Sequence, residues 1–321
     1  MATQPADAIV LDDLVVRFRG KVAVNRMNLK VPRGSVFALL GDNGAGKSTS
    51  MKVLTGQIRP DSGGASILGQ DSWAFADSLR HKVGYVPDRP KLYDWMTVSE
   101  IGWFTGAFHK PGFRDRFLDW SLRLDLDPSK RLKDFSKGGY ARVSLALALA
   151  IDPEVLLLDE PTSGLDLHTR REFLANLVDL AAEGRTILIS SHSISELERF
   201  ASHVGIVQHG TVTHSTTLDE LKARFKRVGF RYDGTAPDLD SLGVVCESAR
   251  VGRSVQHLIR DPNERALNEL KHDPNIHDYE ETSVGLEDVY AALTRPDATA
   301  TPSKPSLRNG AVNRTPAEAF R

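Results

Sequence analysis

The sequence predicts an α/β fold built around a mixed, largely parallel sheet, on three observations. A short apolar run at residues 36–40 leads into a glycine-rich segment and then a helix-forming one. Two further runs, 155–158 and 186–190, are short, continuous and apolar, the pattern of parallel strands covered on both faces. A helical stretch at 168–182 separates these two and completes a strand–helix–strand unit.

The elements follow in order. Residues 9–18 and 27–31 alternate enough for antiparallel strands, with Arg19-Gly20-Lys21 as a turn. After the 36–40 strand and its glycine-rich loop, a helix starts near Lys47. Pro60-Asp61-Ser62-Gly63-Gly64 reads as a turn and 65–68 as a short strand. Residues 83–86 form a strand that Pro87 ends. From Tyr93 to about Leu126 the pattern is helical and aromatic, opened by Thr97 and Glu100 as a capping box and broken at Asp127-Pro128. Residues 135–139 are expected as a loop and 140–150 as a helix. Beyond about Gly210 the pieces shorten, with strands at 228–232, 244–248 and 255–259 and a helix at 264–271. The expected organisation is a main domain over 9–215 with a helical subdomain at about 90–150, a small C-terminal α+β accessory domain over 216–293, and a disordered tail over 294–321, where Pro, Ser, Thr, Ala and Asn dominate.

Composition narrows the function. The chain has 321 residues, 40% hydrophobic and 26% charged, ordinary for a soluble globular protein. A formal net charge of -1 argues against nucleic acid as a partner, since dedicated binders carry a basic field. Cys246 is the only cysteine, which rules out an intrachain disulfide and a cysteine-rich zinc site and fits a reducing compartment. Residues 1–8 lack the apolar core of a signal peptide. No segment approaches the roughly 20 apolar residues that span a bilayer. A membrane role is therefore expected to come through another chain.

Two motifs carry chemistry. The run Gly41-Asp42-Asn43-Gly44-Ala45-Gly46-Lys47-Ser48-Thr49 has the form G-x-x-x-x-G-K-[ST] between strand and helix. Its glycines let successive N–H groups turn inward around phosphate oxygens, and the following helix offers its positive end to the same anion. Lys47 is placed to reach the β- and γ-phosphates, and the Ser48 hydroxyl to ligate Mg²⁺. Further on, Val155-Leu156-Leu157-Leu158-Asp159-Glu160 is an apolar strand ending in two carboxylates. Asp159 suits Mg²⁺, usually through a bound water, and Glu160 suits orienting and partly deprotonating an attacking water. A strand ending in Asp-Glu is by itself more often a cap or turn. Behind a phosphate loop it reads as nucleotide hydrolysis.

With these motifs in this order, the chain resembles, over about residues 9–210, the nucleotide-binding subunit of an ATP-binding-cassette (ABC) transporter, exporter-like in its C-terminal part. The resemblance implies a P-loop NTPase core with an antiparallel β subdomain and a helical subdomain. It places Phe18 where the family stacks adenine, and Phe135-Ser136-Lys137-Gly138-Gly139 at the family signature, usually Leu-Ser-Gly-Gly-Gln. Ser163-Gly164-Leu165-Asp166 matches the D-loop, and His192 the switch histidine. By the same resemblance, Ser136 and Gly138 read the γ-phosphate of ATP held by a second ATPase subunit, identical or different. Asp166 joins the nucleotide-binding set, and His192, counted with Glu160 among the catalytic residues, hydrogen-bonds the γ-phosphate and helps sense its loss. The implied cofactors are ATP and Mg²⁺. The implied partners are integral membrane permease subunits in separate chains, and the implied location is cytoplasmic, on the inner face of the cell membrane. Two alternatives stand: a non-transport ABC ATPase acting on a soluble partner, and a hydrolysis-poor member of a heterodimer.

Three positions depart from the family. Asp88 stands where glutamine usually follows Tyr-Val-Pro, and its charge repels a γ-phosphate unless it ligates the metal or turns away. Lys137 replaces a signature glycine and is expected to face solvent. Gly139 replaces the usual glutamine and leaves the backbone donors in place. The aromatic cluster of Tyr93, Trp95, Trp103 and Phe104 suits either the core of the helical subdomain or a socket for a membrane subunit.

Overall fold

The computed structural model describes residues 7–251 and 254–295; residues 296–321, most of the expected tail, lie outside the described residues. The described residues open with a hairpin in which β1 (Asp7–Phe18) and β2 (Lys21–Pro32) pair antiparallel, from Asp7↔Pro32 to Phe18↔Lys21. Arg19 and Gly20 take φ of 46° and 82°, the left-handed pair that a two-residue hairpin turn needs. β2 therefore starts at Lys21 and not at 27. The alternation that marks a strand is hidden by Arg26 at φ 47° and by register shifts in β1.

β3 (Val36–Gly41) is buried along its whole length and runs into α1 (Lys47–Leu54). β4 (Ser62–Ile67) and β5 (Gln70–Asp71) complete an antiparallel sheet of order β2-β1-β4-β5. β4 begins inside the segment expected as a turn. Gly63, at φ 74°, lies so close to β1 that a Cβ there would sit 2.2 Å from the Asp13 carbonyl oxygen, so it serves strand pairing as well as the bend.

After α2 (Ala76–Leu79) and β6 (Val83–Val86) come α3 (Val98–Gly106) and α4 (Phe113–Arg123), the expected helical region. The capping box is present: Glu100 N donates to Thr97 Oγ1 at 3.2 Å and Thr97 N to Glu100 Oε2 at 2.8 Å. α3 and α4 meet closely, since a Cβ on Gly102 would come 2.1 Å from the Phe117 ring. α5 (Lys137–Leu149) starts three residues earlier than expected, so residues 137–139 are helical and not loop. Ser136 caps it by accepting from Gly139 N at 3.2 Å. Two glycines in a first turn cost helix propensity, about 1 kcal/mol each. Here they are required by contact, because a Cβ on Gly139 would lie 2.4 Å from the Phe135 ring.

The chain continues through β7 (Val155–Asp159), α6 (Leu167–Ala182), β8 (Thr186–Ser191), α7 (Ile194–Leu197), β9 (His203–Gln208) and β10 (Thr211–Thr217). The central sheet has the order β10-β9-β3-β8-β7-β6, parallel except for β10 at one edge. Both faces are covered. Phe37, Leu39, Leu157 and Leu188 pack toward the hairpin sheet with Leu14, Met27 and Met51, while Leu40, Leu158 and Ile189 pack toward the helices with Val143, Phe173 and Leu177. This two-sided burial is the reason the strands read as unbroken apolar runs.

After α8 (Leu218–Ala223), β11 (Phe225–Tyr232), β12 (Val244–Val251), β13 (Ser254–Arg260), α9 (Glu264–Lys271) and β14 (Ile276–Thr282) build a third, antiparallel sheet of order β12-β13-β11-β14 with its own small apolar cluster. α10 (Leu286–Thr294) then returns to the large core, where Leu286, Val289 and Ala292 join the cluster that holds Leu40 and Leu158. Among the described residues no helix is long and apolar enough to cross a membrane.

The α3–α4 contact yields a prediction. Gly102→Ala forces a methyl into the Phe117 ring and should lower unfolding free energy by about 1–3 kcal/mol, as overpacking does. Denaturant titration of both chains measures it, and coincident curves would show that the two helices have room to separate.

Candidate functional site

β3, β8 and β7 lie side by side and parallel, so their carboxyl ends share one edge of the sheet. Ligands of open α/β sheets gather at this edge. The 41–49 loop leaves β3 there. Gly44 and Gly46 have φ of 82° and 110°, and a Cβ on Gly46 would sit 2.7 Å from the Ala23 carbonyl oxygen. The loop is thus pressed against the start of β2. Gly41, Ala45 and Gly46 are buried, Asp42, Asn43 and Gly44 are exposed, and Thr49 is half-buried in the first turn of α1. Lys47 is only 5% exposed, and its ammonium donates to the carbonyls of Gly41 at 2.5 Å and Asp42 at 3.3 Å.

Asp159 ends β7 with 1% exposure. Its Oδ1 accepts from Ser48 Oγ at 2.9 Å and from Ser190 Oγ at 2.7 Å. Burial pushes its pKa up, against these two hydrogen bonds, and the carboxylates of Asp88 and Glu160 push the same way. Glu160 follows with φ of 49°, a left-handed backbone uncommon for a side chain of its size. Its N–H donates to Ser190 Oγ at 3.0 Å. Its Oε1 stands 3.4 Å from the Lys47 ammonium. Its Oε2 lies 2.7 Å from His192 Nδ1 and accepts from His192 N at 3.3 Å. The structure therefore joins Lys47, Ser48, Asp159, Glu160 and His192 into one cluster. Ser190, which ties Asp159 to the Glu160 backbone, is a member that sequence reasoning passed over. Its signal was the polar end of an otherwise apolar strand.

Ser48 and Asp159 present hydroxyl and carboxylate oxygens, the hard donors that Mg²⁺ takes. Among the described residues no three His, Cys, Asp or Glu side chains form a metal-holding group. A cation here would need further oxygens, from water or a bound phosphate.

The other candidate residues make no hydrogen bond to the cluster among the described residues, although Asp88 and Ser136 share a cleft with Glu160. Phe18 is exposed at the tip of the hairpin whose returning strand meets the loop at Ala23. Ser136 is exposed at the N-cap of α5, and Gly138 is buried, where a Cβ would lie 2.8 Å from Thr169. No hydrogen bond among the described residues joins either to the phosphate loop. Asp166 caps α6, accepting from His168 N at 3.1 Å and Thr169 N at 3.0 Å; the latter bond leads in lowering its pKa. Asp88 is exposed, with Oδ2 3.6 Å from Arg89 Nε. It lines a cleft of about 270 Å³ with Ser136, Lys137, Glu160 and Ser163. Lys137 is exposed, and its side chain extends over Gly164: a Cβ on Gly164 would come 2.3 Å from its ammonium nitrogen. Trp95 and Trp103 are 63% and 62% exposed, whereas Phe104 packs against the core.

Comparison with known proteins points to one family. The family model described as "ABC transporter" matches residues 24–163, and one described as "AAA domain, putative AbiEii toxin, Type IV TA system" matches 138–198. The chain is 34% identical over 219 residues to the bacitracin transport ATP-binding protein BcrA of Bacillus licheniformis, covering 67% of this chain and 71% of that protein. It is 29% identical over 311 residues to the daunorubicin/doxorubicin resistance ATP-binding protein DrrA of Streptomyces peucetius, covering 92% of this chain and 94% of that one. Other relatives are longer, and the chain spans 39% of the length of two of them. Among solved structures, an ATP-binding subunit of an ABC transporter superposes with a TM-score of 0.62 at 28% identity, over 67% of this chain and 92% of that one. On its fold, its clustered site and these likenesses, the chain belongs to the ABC transporter family, among the ATP-binding cassettes.

Proposed function

We propose that the chain binds ATP and hydrolyses it to ADP and phosphate, as the ATPase subunit of an ABC exporter whose membrane spans lie in separate chains. The observation that carries this reading is the cluster of Lys47, Ser48, Asp159, Glu160 and His192 at one sheet edge. The 41–49 loop takes the phosphates on its amides and on Lys47. Ser48 and Asp159 would hold Mg²⁺, which when bound would supply positive charge against the phosphates. Glu160 orients a water in line with the γ-phosphate and draws on its proton, while His192 holds the Glu160 carboxylate in place. Phe18 stacks the adenine.

Ser136 and Gly138 serve a second copy or a homologous subunit. Their donors are at a helix N-terminus, clear of this chain's own phosphate loop, so they complete the site held opposite, together with Asp166 and its loop. ATP makes both sets of contacts only when two subunits close, and its binding then favours the closed pair. Residues 9–215 form the cassette in this reading, and 216–293 an accessory domain. Exposed Tyr93, Trp95 and Trp103 offer an aromatic surface to a permease, which would hold the chain at the inner face of the membrane. Export is favoured by the bacitracin and daunorubicin named in the relatives' descriptions.

Two substitutions test the roles. Glu160→Gln keeps the shape and removes the charge that activates water. It should lower turnover by about 10²- to 10⁴-fold, leave ATP binding intact, and accumulate a dimer by gel filtration. Turnover like that of the wild type would remove Glu160 from the chemistry. Lys47→Ala deletes charge-assisted hydrogen bonds and should weaken MgATP binding by roughly 10- to 100-fold in calorimetric titration. An unchanged dissociation constant would mean the phosphates rest elsewhere.

A further inference from the structure

α10 makes one polar contact that its place at the far end of the chain does not lead one to expect. Tyr290 Oη donates to Asp42 Oδ1 at 3.0 Å, linking residues 248 positions apart. The helix that carries Tyr290 is firmly seated. Leu286, Val289 and Ala292 are buried in the large core. Leu286 N donates to Glu198 Oε2 at 3.0 Å, and Lys222 Nζ donates to the other Glu198 oxygen at 2.5 Å. Arg227 pairs with Asp288 at 3.1 Å. Burial and then the Asp42 carboxylate push the Tyr290 pKa up to about 12, so the hydroxyl keeps its proton.

Asp42 sits in a delicate position. Its carbonyl oxygen accepts from Ala45 N at 3.1 Å and from the Lys47 ammonium at 3.3 Å. Its carboxylate is a negative charge on a loop read as a triphosphate cradle. Left free, such a charge repels the phosphates and competes for Lys47. Among the described residues it has no ion-pair partner, and Tyr290 is its one side-chain hydrogen bond.

We propose that Tyr290 is a positioning residue for the phosphate loop. It holds the Asp42 carboxylate away from the phosphate side, leaves Lys47 to the nucleotide, and so makes nucleotide affinity depend on the seating of α10. The inference rests on the ATPase reading above and adds a role for the C-terminal helix within it.

The test is calorimetric titration of the full chain with MgATP and MgADP. Tyr290→Phe removes the hydroxyl and keeps the ring. It should weaken binding of both nucleotides by about 3- to 10-fold, raise KM in proportion, and change kcat at saturating ATP by less than about two-fold. Asp42→Asn removes the charge and should bind at least as tightly as the wild type. Adding Tyr290→Phe to Asp42→Asn should then have little further effect, a coupling that a merely structural tyrosine would not show. Wild-type affinity in Tyr290→Phe, or an equal loss in both backgrounds, overturns the proposal while the ATPase reading stands. A wild-type chain that takes up no MgATP overturns both.

Discussion

A carboxylate held almost out of water is the constraint on which the rest of the site depends. Asp159 is buried at the end of a strand that is apolar up to its last residue. Burying a charge is costly unless hydrogen bonds or a cation compensate it. The chain supplies Ser48 from α1 and Ser190 from β8, and both bond the same oxygen. These donors come from different elements, so the helix after β3 and the ends of β7 and β8 must come together for Asp159 to be tolerated. The sheet order, with β8 between β3 and β7, provides that meeting. Even so, the carboxyl is left with a raised pKa, which marks a charge only partly compensated by the protein itself. Groups held out of balance in this way belong more often to a site than to a scaffold.

The turn after Asp159 carries the same logic one residue further. Glu160 is forced to φ of 49°, and its N–H is held by the carbonyl at 3.1 Å and the hydroxyl at 3.0 Å of Ser190. Backbone strain of this kind persists only where surrounding contacts over-determine it. Its effect is to turn the Glu160 side chain back across the sheet edge, with one oxygen near Lys47 and the other against His192. Ser190 therefore sets two carboxylates at once, one through its bond to Asp159 and one through the backbone of Glu160.

Most of this was legible in the sequence where the cause is local. The phosphate loop, the Thr97–Glu100 capping box and the paired acids each declare themselves within a few residues. What stayed hidden depends on distant partners. β2 looks shorter in the sequence than it is, because Arg26 breaks its alternation and only pairing with β1 restores the strand. β14 has mostly exposed polar side chains, so it reads as loop until β11 is beside it. The first turn of α5 resembles loop in the sequence because glycines weaken helix signals; the ring and methyl that demand them belong to Phe135 and Thr169. The bond from Tyr290 to Asp42 has no trace in spacing at all.

The departures from the family pattern make electrostatic sense when taken together. Asp88 and Lys137 stand where the family usually has neutral glutamine and glycine, and the structure sets both on the wall of the cleft that also holds Glu160. A third acid beside Glu160 and Asp159 would by itself deepen the negative potential there and work against any anion. An ammonium at the start of α5 is in turn poorly placed for its own helix, whose N-terminus disfavours positive charge. Each residue alone is a liability. Both charges line one cleft, with Arg89 beside Asp88, so a phosphate entering it would meet charges of both signs and not an unrelieved acidic surface.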